Sequence, residues 1–247
     1  MNTNPSPPLP PMHKSECSSL SLICRKNISH QEDHRKDQLA NTGSSSLTAK
    51  EMRFLLEFFS RRVPCNLLIF GQEYQYSSIA SLNAGGVTIF LEDNLQNTSK
   101  LKSTNSTQVY KIMYNTLASE AYKLLKDARN SKDCLPNVHL PKVSKCNLVL
   151  SNLPQEVYET TWDVVLVDGP RGDTPDSPGK MTTIYMASIL ARSGNITSVI
   201  VHNVDRMIEK WFSWEFLCEE NLCDRSDRLV NDGTYLYSST RALDGLK

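Results

Sequence analysis

Apolar residues fall along the central part of this chain in two alternating patterns, one with helical spacing and one with short continuous runs. The first helical pattern begins at a capping box, in which Thr48 and Glu51 are spaced to satisfy free backbone N–H groups at a helix start. Its apolar stripe consists of Met52, Leu55, Leu56 and Phe59. Pro64 follows, so the sequence predicts a first helix that ends before this proline.

Strand-like and helix-like segments alternate from there on. Short apolar runs predict strands at residues 65–70, 87–91, 109–114, 163–168 and 198–202, with 148–149 as a further short candidate. Helical spacing predicts helices at residues 75–83, 117–129, 180–191 and 205–221. This alternation predicts an α/β fold with a mostly parallel, Rossmann-type sheet and helices on both faces.

Composition divides the chain into two parts. Residues 1–45 are rich in Ser, Pro, Asn and charge and predict a disordered tail, since they bury too little apolar surface to offset chain entropy. Residues 46–247 are predicted to form one domain. Lys plus Arg and Asp plus Glu both number 27, so no basic field points to nucleic acid. No apolar run approaches the roughly 20 residues of a membrane-spanning helix, and no signal peptide is visible.

The cysteines give a limited indication of the compartment. There are 7, without a CxxC pair, which argues against a zinc site and a redox motif. Cys65 in a strand-like run is expected to be a buried free thiol. Cys134 and Cys146 flank a proline-containing loop and can form a disulfide if the compartment is oxidising.

Candidate ligand-binding residues lie where the predicted strands end, because ligands of open parallel sheets bind beyond the carboxyl ends of the strands. Gly71 ends the first strand, and Glu92 ends the second about 20 residues later, a spacing typical of nucleotide sites in which a carboxylate binds ribose. Residues 71–75 contain a single glycine, which argues against a dinucleotide more than against S-adenosylmethionine, a ligand without phosphate. The alternative is that Glu92 is only a solvated strand end.

The segment 168–179 follows the strongest strand and contains three prolines and three glycines. Such a loop is longer than the 2–6 residues of an ordinary connection. Asp168, Arg171, Asp173 and Asp176 are candidates to bind a cation, to position a polar substrate or to act as general base. The alternative is a purely structural loop.

Two further features lie in the last third of the chain. His202 ends the strand after this loop. It is either a base or metal ligand, or an ordinary histidine with a hydrogen bond to a neighbouring turn. An aromatic cluster on the last predicted helix favours core packing over a platform for sugar rings. Its members are Trp211, Phe212, Trp214, Phe216 and Leu217.

Four segments together resemble a plant polysaccharide-biosynthesis family, that of the glucuronoxylan 4-O-methyltransferases and the irregular xylem fifteen proteins. They are residues 64–71, 162–173, 178–181 and 215–221, and the likeness covers about residues 48–230. The Asp-Gly-Pro-Arg-Gly-Asp block at 168–173 is the most specific and is nearer the irregular xylem type. The resemblance implies a class I methyltransferase fold, S-adenosylmethionine as donor, room for a divalent metal, and a Golgi location.

The leading hypothesis, a xylan-biosynthesis protein with an S-adenosylmethionine-type pocket, gives each of these residues a role. Glu92 would hold ribose, and Gly71 would back the methionine moiety. Asp168, as base or metal ligand, and His202 would face the acceptor sugar hydroxyl. Arg171 and Asp173 would bind the substrate, expected to be xylan or a related polysaccharide.

The chain departs from the family pattern at three places. Phe70–Gln75 lacks the second glycine and the His-Asp of the usual loop, Asn203 replaces an aspartate after His202, and the usual N-terminal membrane anchor is not visible. A non-catalytic partner in a Golgi xylan-synthesising complex is therefore the alternative to a methyltransferase, and a soluble small-molecule methyltransferase is a third. If Glu73 or Tyr74 fills the donor pocket, the non-catalytic alternative is favoured.

Overall fold

The structure is a computed structural model of the chain. It describes residues 47–71, 74–94, 104–136, 144–194, 196–218, 221–222 and 233–240. The predicted disordered tail over residues 1–45 lies outside these ranges.

Six helices and six strands make up the described fold. The helices are α1 (Ala49–Ser60), α2 (Tyr76–Leu82), α3 (Ala121–Asn130), α4 (Gln155–Glu159), α5 (Met181–Ser193) and α6 (Met207–Phe216). The strands are β1 (Asn66–Phe70), β2 (Val87–Glu92), β3 (Thr107–Lys111), β4 (Val164–Val167), β5 (Ile196–His202) and β6 (Thr234–Thr240). Short 3-10 turns lie at Ala118–Glu120 and Lys132–Cys134.

The strands form one sheet in the order β3-β2-β1-β4-β5-β6. All neighbouring pairs are parallel except β5 and β6, which are antiparallel. The order reverses between β1 and β4, as in Rossmann-type folds that bind ligands at this switch point. The predicted α/β fold with a mostly parallel, Rossmann-type sheet is confirmed, whereas β6 was not predicted.

Helices cover both faces of the sheet, as the fold class requires. One face of β1 contributes Leu67 and Ile69 to a core with α1 and α2. The other face contributes Leu68 and Phe70 to a larger core with α3, α5 and α6. Because β4 is buried on both faces, its sequence reads as a continuous apolar run rather than an alternating one.

The capping box and the core role of the last helix are confirmed. Thr48 Oγ1 accepts the backbone N–H of Glu51 at 3.2 Å, and the Glu51 carboxylate accepts the backbone N–H of Thr48 at 2.8 Å. Phe212, Phe216 and Leu217 are buried. Phe216 packs edge-on against Tyr185 of α5, with ring centroids 5.1 Å apart.

Three sequence expectations in the periphery have clear outcomes. The strand at 148–149 is wrong, because Leu148 lies in a turn and is buried as part of an irregular segment. Cys65 is a buried free cysteine, and burial raises the pKa of its thiol to about 11. Cys134 and Cys146 form a disulfide.

Candidate functional site

The carboxyl ends of β1, β2, β4 and β5 lie along one edge of the sheet, because these strands are parallel and adjacent. This edge carries Gly71, Glu92, Asp168 and His202, the residues that the sequence analysis placed in one site. Their surroundings divide into two regions with different hydrogen bonding.

Gly71 is where the backbones after β1 and β4 meet. It has a φ of +94°, a conformation that favours glycine. A Cβ added to Gly71 would lie 2.6 Å from the backbone nitrogen of Gly169. The Gly169 N–H donates to the Phe70 carbonyl at 2.7 Å. Glycine is therefore required at position 71 by the contact between two loops of the protein itself.

Asp168 is buried and accepts from three side chains. Its Oδ2 accepts the Tyr76 hydroxyl at 2.7 Å, and its Oδ1 lies 2.6 Å from Nδ1 of His202. Lys180 Nζ is 3.5 Å from the same Oδ1. Burial by itself would raise the pKa of Asp168, but the hydrogen bond from His202 and the charge of Lys180 outweigh it and lower the pKa to about 2.

His202 bridges two carboxylates. Its Nε2 lies 3.3 Å from Oε1 of Glu51, which also accepts the hydroxyl of Thr234 in β6 at 2.7 Å. Burial would lower the pKa of His202, but the hydrogen bonds to Asp168 and Glu51 raise it to about 9. At neutral pH the ring is therefore an imidazolium that donates from both nitrogens, and it has no lone pair with which to accept a proton.

Lys180 is fully buried at the start of α5, where the sequence analysis predicted only a helix start. Its ammonium donates to the His202 carbonyl at 2.9 Å and to Oδ1 of Asn203 at 2.6 Å. Asn203 has a φ of 62°, in the left-handed region, which turns the chain after β5 toward the ammonium. The buried charge cluster is the set Glu51, Tyr76, Asp168, Lys180 and His202.

The other region lies at the ends of β2 and β3. Glu92 is 4% exposed, so it is not a solvated strand end, and its Oε1 accepts the Asn94 backbone N–H at 3.0 Å. The hydroxyl oxygens of Tyr114 and Thr116 are buried and have no hydrogen-bond partner in the described part of the chain. Burial, followed by the nearby charges of Asp93 and Glu92, raises the pKa of Tyr114 well above its usual value. We call Glu92, Tyr114 and Thr116 the donor-side group.

Arg171 and Asp173 lie on the exposed part of the loop that follows β4. The far end of this loop is held by the segment before α3, since the backbone N–H groups of Ala118 and Ser119 donate to the carbonyls of Ser177 and Pro175, both at 2.9 Å.

Three further findings concern the earlier expectations for the pocket, a metal ion and a membrane-spanning helix. Tyr74 is 83% exposed and does not fill a pocket, while Glu73 lies outside the described residues. Among the described residues, no group of three or more His, Cys, Asp or Glu side chains is placed to hold a metal ion. No helix in the described ranges has the length and apolar character needed to span a membrane.

Comparison with known proteins identifies the family. The family model described as IRX15/IRX15L/GXM matches residues 50–231. Arabinogalactan O-methyltransferase 2 of Arabidopsis thaliana is 38% identical over 186 residues, which cover 73% of this chain and 64% of that protein. Glucuronoxylan 4-O-methyltransferase 2 of the same plant is 34% identical over 220 residues, covering 87% and 75%. Protein IRX15-LIKE, also from Arabidopsis thaliana, is 41% identical over 175 residues, covering 68% and 55%. The chain belongs to the IRX15/IRX15L/GXM family.

Proposed function

We propose that this protein is an S-adenosylmethionine-dependent O-methyltransferase-like protein of plant cell-wall polysaccharide biosynthesis, with xylan or a related polymer as acceptor. The donor would bind at the donor-side group, and the acceptor would bind at the loop after β4. The observation that carries the proposal is that the hydroxyls of Tyr114, near the charge of Glu92, and of Thr116 are buried and have no hydrogen-bond partner among the described residues.

The donor-side group fits a nucleoside ligand. Buried polar atoms in proteins nearly always have hydrogen-bond partners, and the hydroxyls of Tyr114 and Thr116 have none among the described residues, so a ligand can supply them. Glu92 would accept hydrogen bonds from ribose hydroxyls, as strand-end carboxylates do in this type of sheet. The single glycine of the loop at Gly71 is compatible with a ligand that has no phosphate. When bound, S-adenosylmethionine supplies a methyl group for an acceptor hydroxyl oxygen.

For Asp168 and His202 we favour a supporting role over the base and metal-ligand roles expected from the sequence. Asp168 is a weak base because its pKa is about 2, and His202 already carries its proton. The carboxylate orients His202 and the loop that begins at residue 168. Arg171 and Asp173, exposed on that loop, supply donors and acceptors for sugar hydroxyls.

The relatives' names support the acceptor class, since they designate methyltransferases of glucuronoxylan and arabinogalactan. The Cys134–Cys146 disulfide supports an oxidising compartment, in keeping with a Golgi lumen shared with other xylan-biosynthesis proteins.

The second candidate is a non-catalytic partner in a xylan-synthesising complex. It is favoured by the internal pairing of Asp168 and His202, which leaves neither of these two side chains free to act as a base.

Titration calorimetry of the full chain with S-adenosylmethionine tests the proposal and separates the two candidates. We expect saturable binding that weakens at least about 10-fold, or about 1.4 kcal/mol, in Glu92→Ala. The matched control is Asp93→Ala, which removes the neighbouring, exposed carboxylate and should leave the affinity within about 2-fold.

Two outcomes would contradict the proposal. A folded wild-type protein that binds no S-adenosylmethionine would favour the non-catalytic partner. Equal affinity in Glu92→Ala and the wild type would place the donor away from the donor-side group.

A further inference from the structure

Arg206, just before α6, extends back to the loop after β4. Its Nη1 donates to the carbonyl of Arg171 at 2.6 Å, and its Nη2 donates to the carbonyl of Gly172. One planar guanidinium thus binds two consecutive peptide carbonyls, a geometry that a lysine ammonium cannot reproduce.

The backbone of the loop is shaped to receive this guanidinium. Gly172 has a φ of +61°, and a Cβ at that position would lie 3.3 Å from Nη2 of Arg206. Carboxylates flank the same Nη1, with Oε1 of Glu209 at 3.5 Å and Oδ1 of Asp173 at 3.9 Å. The buried Glu209 holds the guanidinium from the protein side, and Asp173 meets it from the loop.

The contact acts on the part of the loop that carries the exposed polar side chains. The other end of the loop is held independently, through Ala118 and Ser119. The Arg206 side chain is 32% exposed, so its ion pairs are partly screened by water and contribute little to global stability. Its main effect is to fix the backbone path of residues 171–173.

We propose that Arg206 is a positioning residue that holds residues 171–173 in the shape that receives the acceptor glycan. This inference rests on the proposed function and refines its acceptor side. Arg206 bonds to the loop that follows β4, whereas the donor-side group follows β2 and β3. Its loss should therefore weaken acceptor binding and leave donor binding unchanged.

Limited trypsin digestion tests the clamp without reference to activity. The bond after Arg171 is a tryptic site whose carbonyl is held by Arg206. In Arg206→Lys we expect cleavage after Arg171, followed by mass spectrometry, to be about 10-fold faster, because loss of about 1.4 kcal/mol makes an open loop 10-fold more populated. Arg61→Lys, which alters a surface arginine bonded to Glu57, is the matched control and should leave this rate unchanged. Equal cleavage in Arg206→Lys and the wild type would overturn the proposal.

Binding measurements test the functional half of the inference. With oligosaccharides of glucuronoxylan and of arabinogalactan as probes, Arg206→Lys should raise the Kd of the glycan that the wild type binds, and the acceptor KM where transfer is measurable, about 10-fold. The kcat and the S-adenosylmethionine Kd should stay within about 2-fold. A parallel loss of donor affinity, or unchanged glycan affinity, would contradict the positioning role.

Failure of the two proposals is distinguishable. A wild type that binds glycan but no S-adenosylmethionine contradicts the methyltransferase and leaves the Arg206 inference standing. A wild type that binds neither glycan contradicts the acceptor role. If Arg206→Lys does not fold, Gly172→Ala replaces it. At this positive φ the added methyl would lie 3.2 Å from Cα of Gly179 and 3.3 Å from Nη2 of Arg206, so the loop must shift and cleavage should again be faster.

Discussion

The buried charge cluster and the donor-side group lie at the same edge of the sheet and differ in how their polar atoms are used. In the cluster, Asp168 and His202 bond to neighbours within the protein. In the donor-side group, the hydroxyls of Tyr114 and Thr116 are buried and have no partner in the described structure. The Asp168 and His202 side chains of the first region are paired within the protein, whereas the two hydroxyls of the second can form hydrogen bonds with a ligand.

Because of this difference, the segment most specific to the family is not the region whose hydroxyls lack partners among the described residues. Asp168 begins the most specific segment of the sequence, yet its carboxylate is already hydrogen-bonded to Tyr76 and His202 and ion-paired with Lys180. The most specific segment thus begins with a side chain that is paired within the protein, and the proposed donor site depends instead on the hydroxyls of Tyr114 and Thr116.

The largest effect is expected from Asp168→Ala. The substitution leaves the charges of Lys180 and His202 buried without their carboxylate, which should lower the free energy of unfolding by about 3–5 kcal/mol. Urea denaturation measures this change. Asp173→Ala, an exposed carboxylate five positions along the same loop, is the control and should stay within about 0.5 kcal/mol of the wild type. Equal, small changes would mean that the cluster is not a stabilising unit.

A second test varies pH. The pKa of His202 is about 9 against an ordinary 6.5, so its contribution to stability is complete below pH 6.5 and is lost as the pH rises through 9. The pKa values of Asp168 and Glu51 are about 2 against ordinary values of 3.8 and 4.5, so their contribution is complete above those values and is lost as the pH falls toward 2.

We therefore expect the Tm, measured by circular dichroism, to be highest between these limits, and we expect His202→Gln to flatten the alkaline fall. An alkaline fall that persists in full in His202→Gln would show that another group causes it.

The sharpest comparison removes one oxygen from each region. Tyr76→Phe deletes a hydroxyl that donates to a carboxylate, and should lower the free energy of unfolding by about 1.5–3 kcal/mol. Tyr114→Phe deletes a hydroxyl that has no partner among the described residues, so it should not lower the free energy of unfolding, while S-adenosylmethionine binding should weaken several-fold. Urea denaturation and calorimetry measure the two effects, and a destabilising Tyr114→Phe would remove the distinction between the regions.

Local patterns in the sequence predicted most of the fold. The apolar runs that predicted β1 to β5 and the capping box of α1 depend only on residues close together in the sequence. Signals of this kind can be recognised without the structure. The missed β6 has the strand-favouring run Thr234–Tyr237 directly after Gly233, a signal that could have identified it. Leu148 shows the opposite error, since a buried apolar residue in a turn looks like part of a strand.

The candidate site was less predictable, because its bonds join distant segments. Strand ends located Glu92, Asp168 and His202 correctly at one edge. Nothing local to Lys180 indicates a buried ammonium, since its partners lie 12 to 23 residues away. Glu51 had a sufficient local role as a helix cap, which concealed its contact with His202.

The hydrogen bond between Glu51 and Thr234 joins residues separated by 183 positions. A ribosome delivers α1 well before β6, so the growing chain passes through a stage in which the sheet has an open edge at β5 and Glu51 lacks the hydroxyl of Thr234. An open strand edge is a template for pairing with other chains. The β5 edge is therefore covered only after β6 has been synthesised, so pairing with β6 also protects the finished domain from association through that edge.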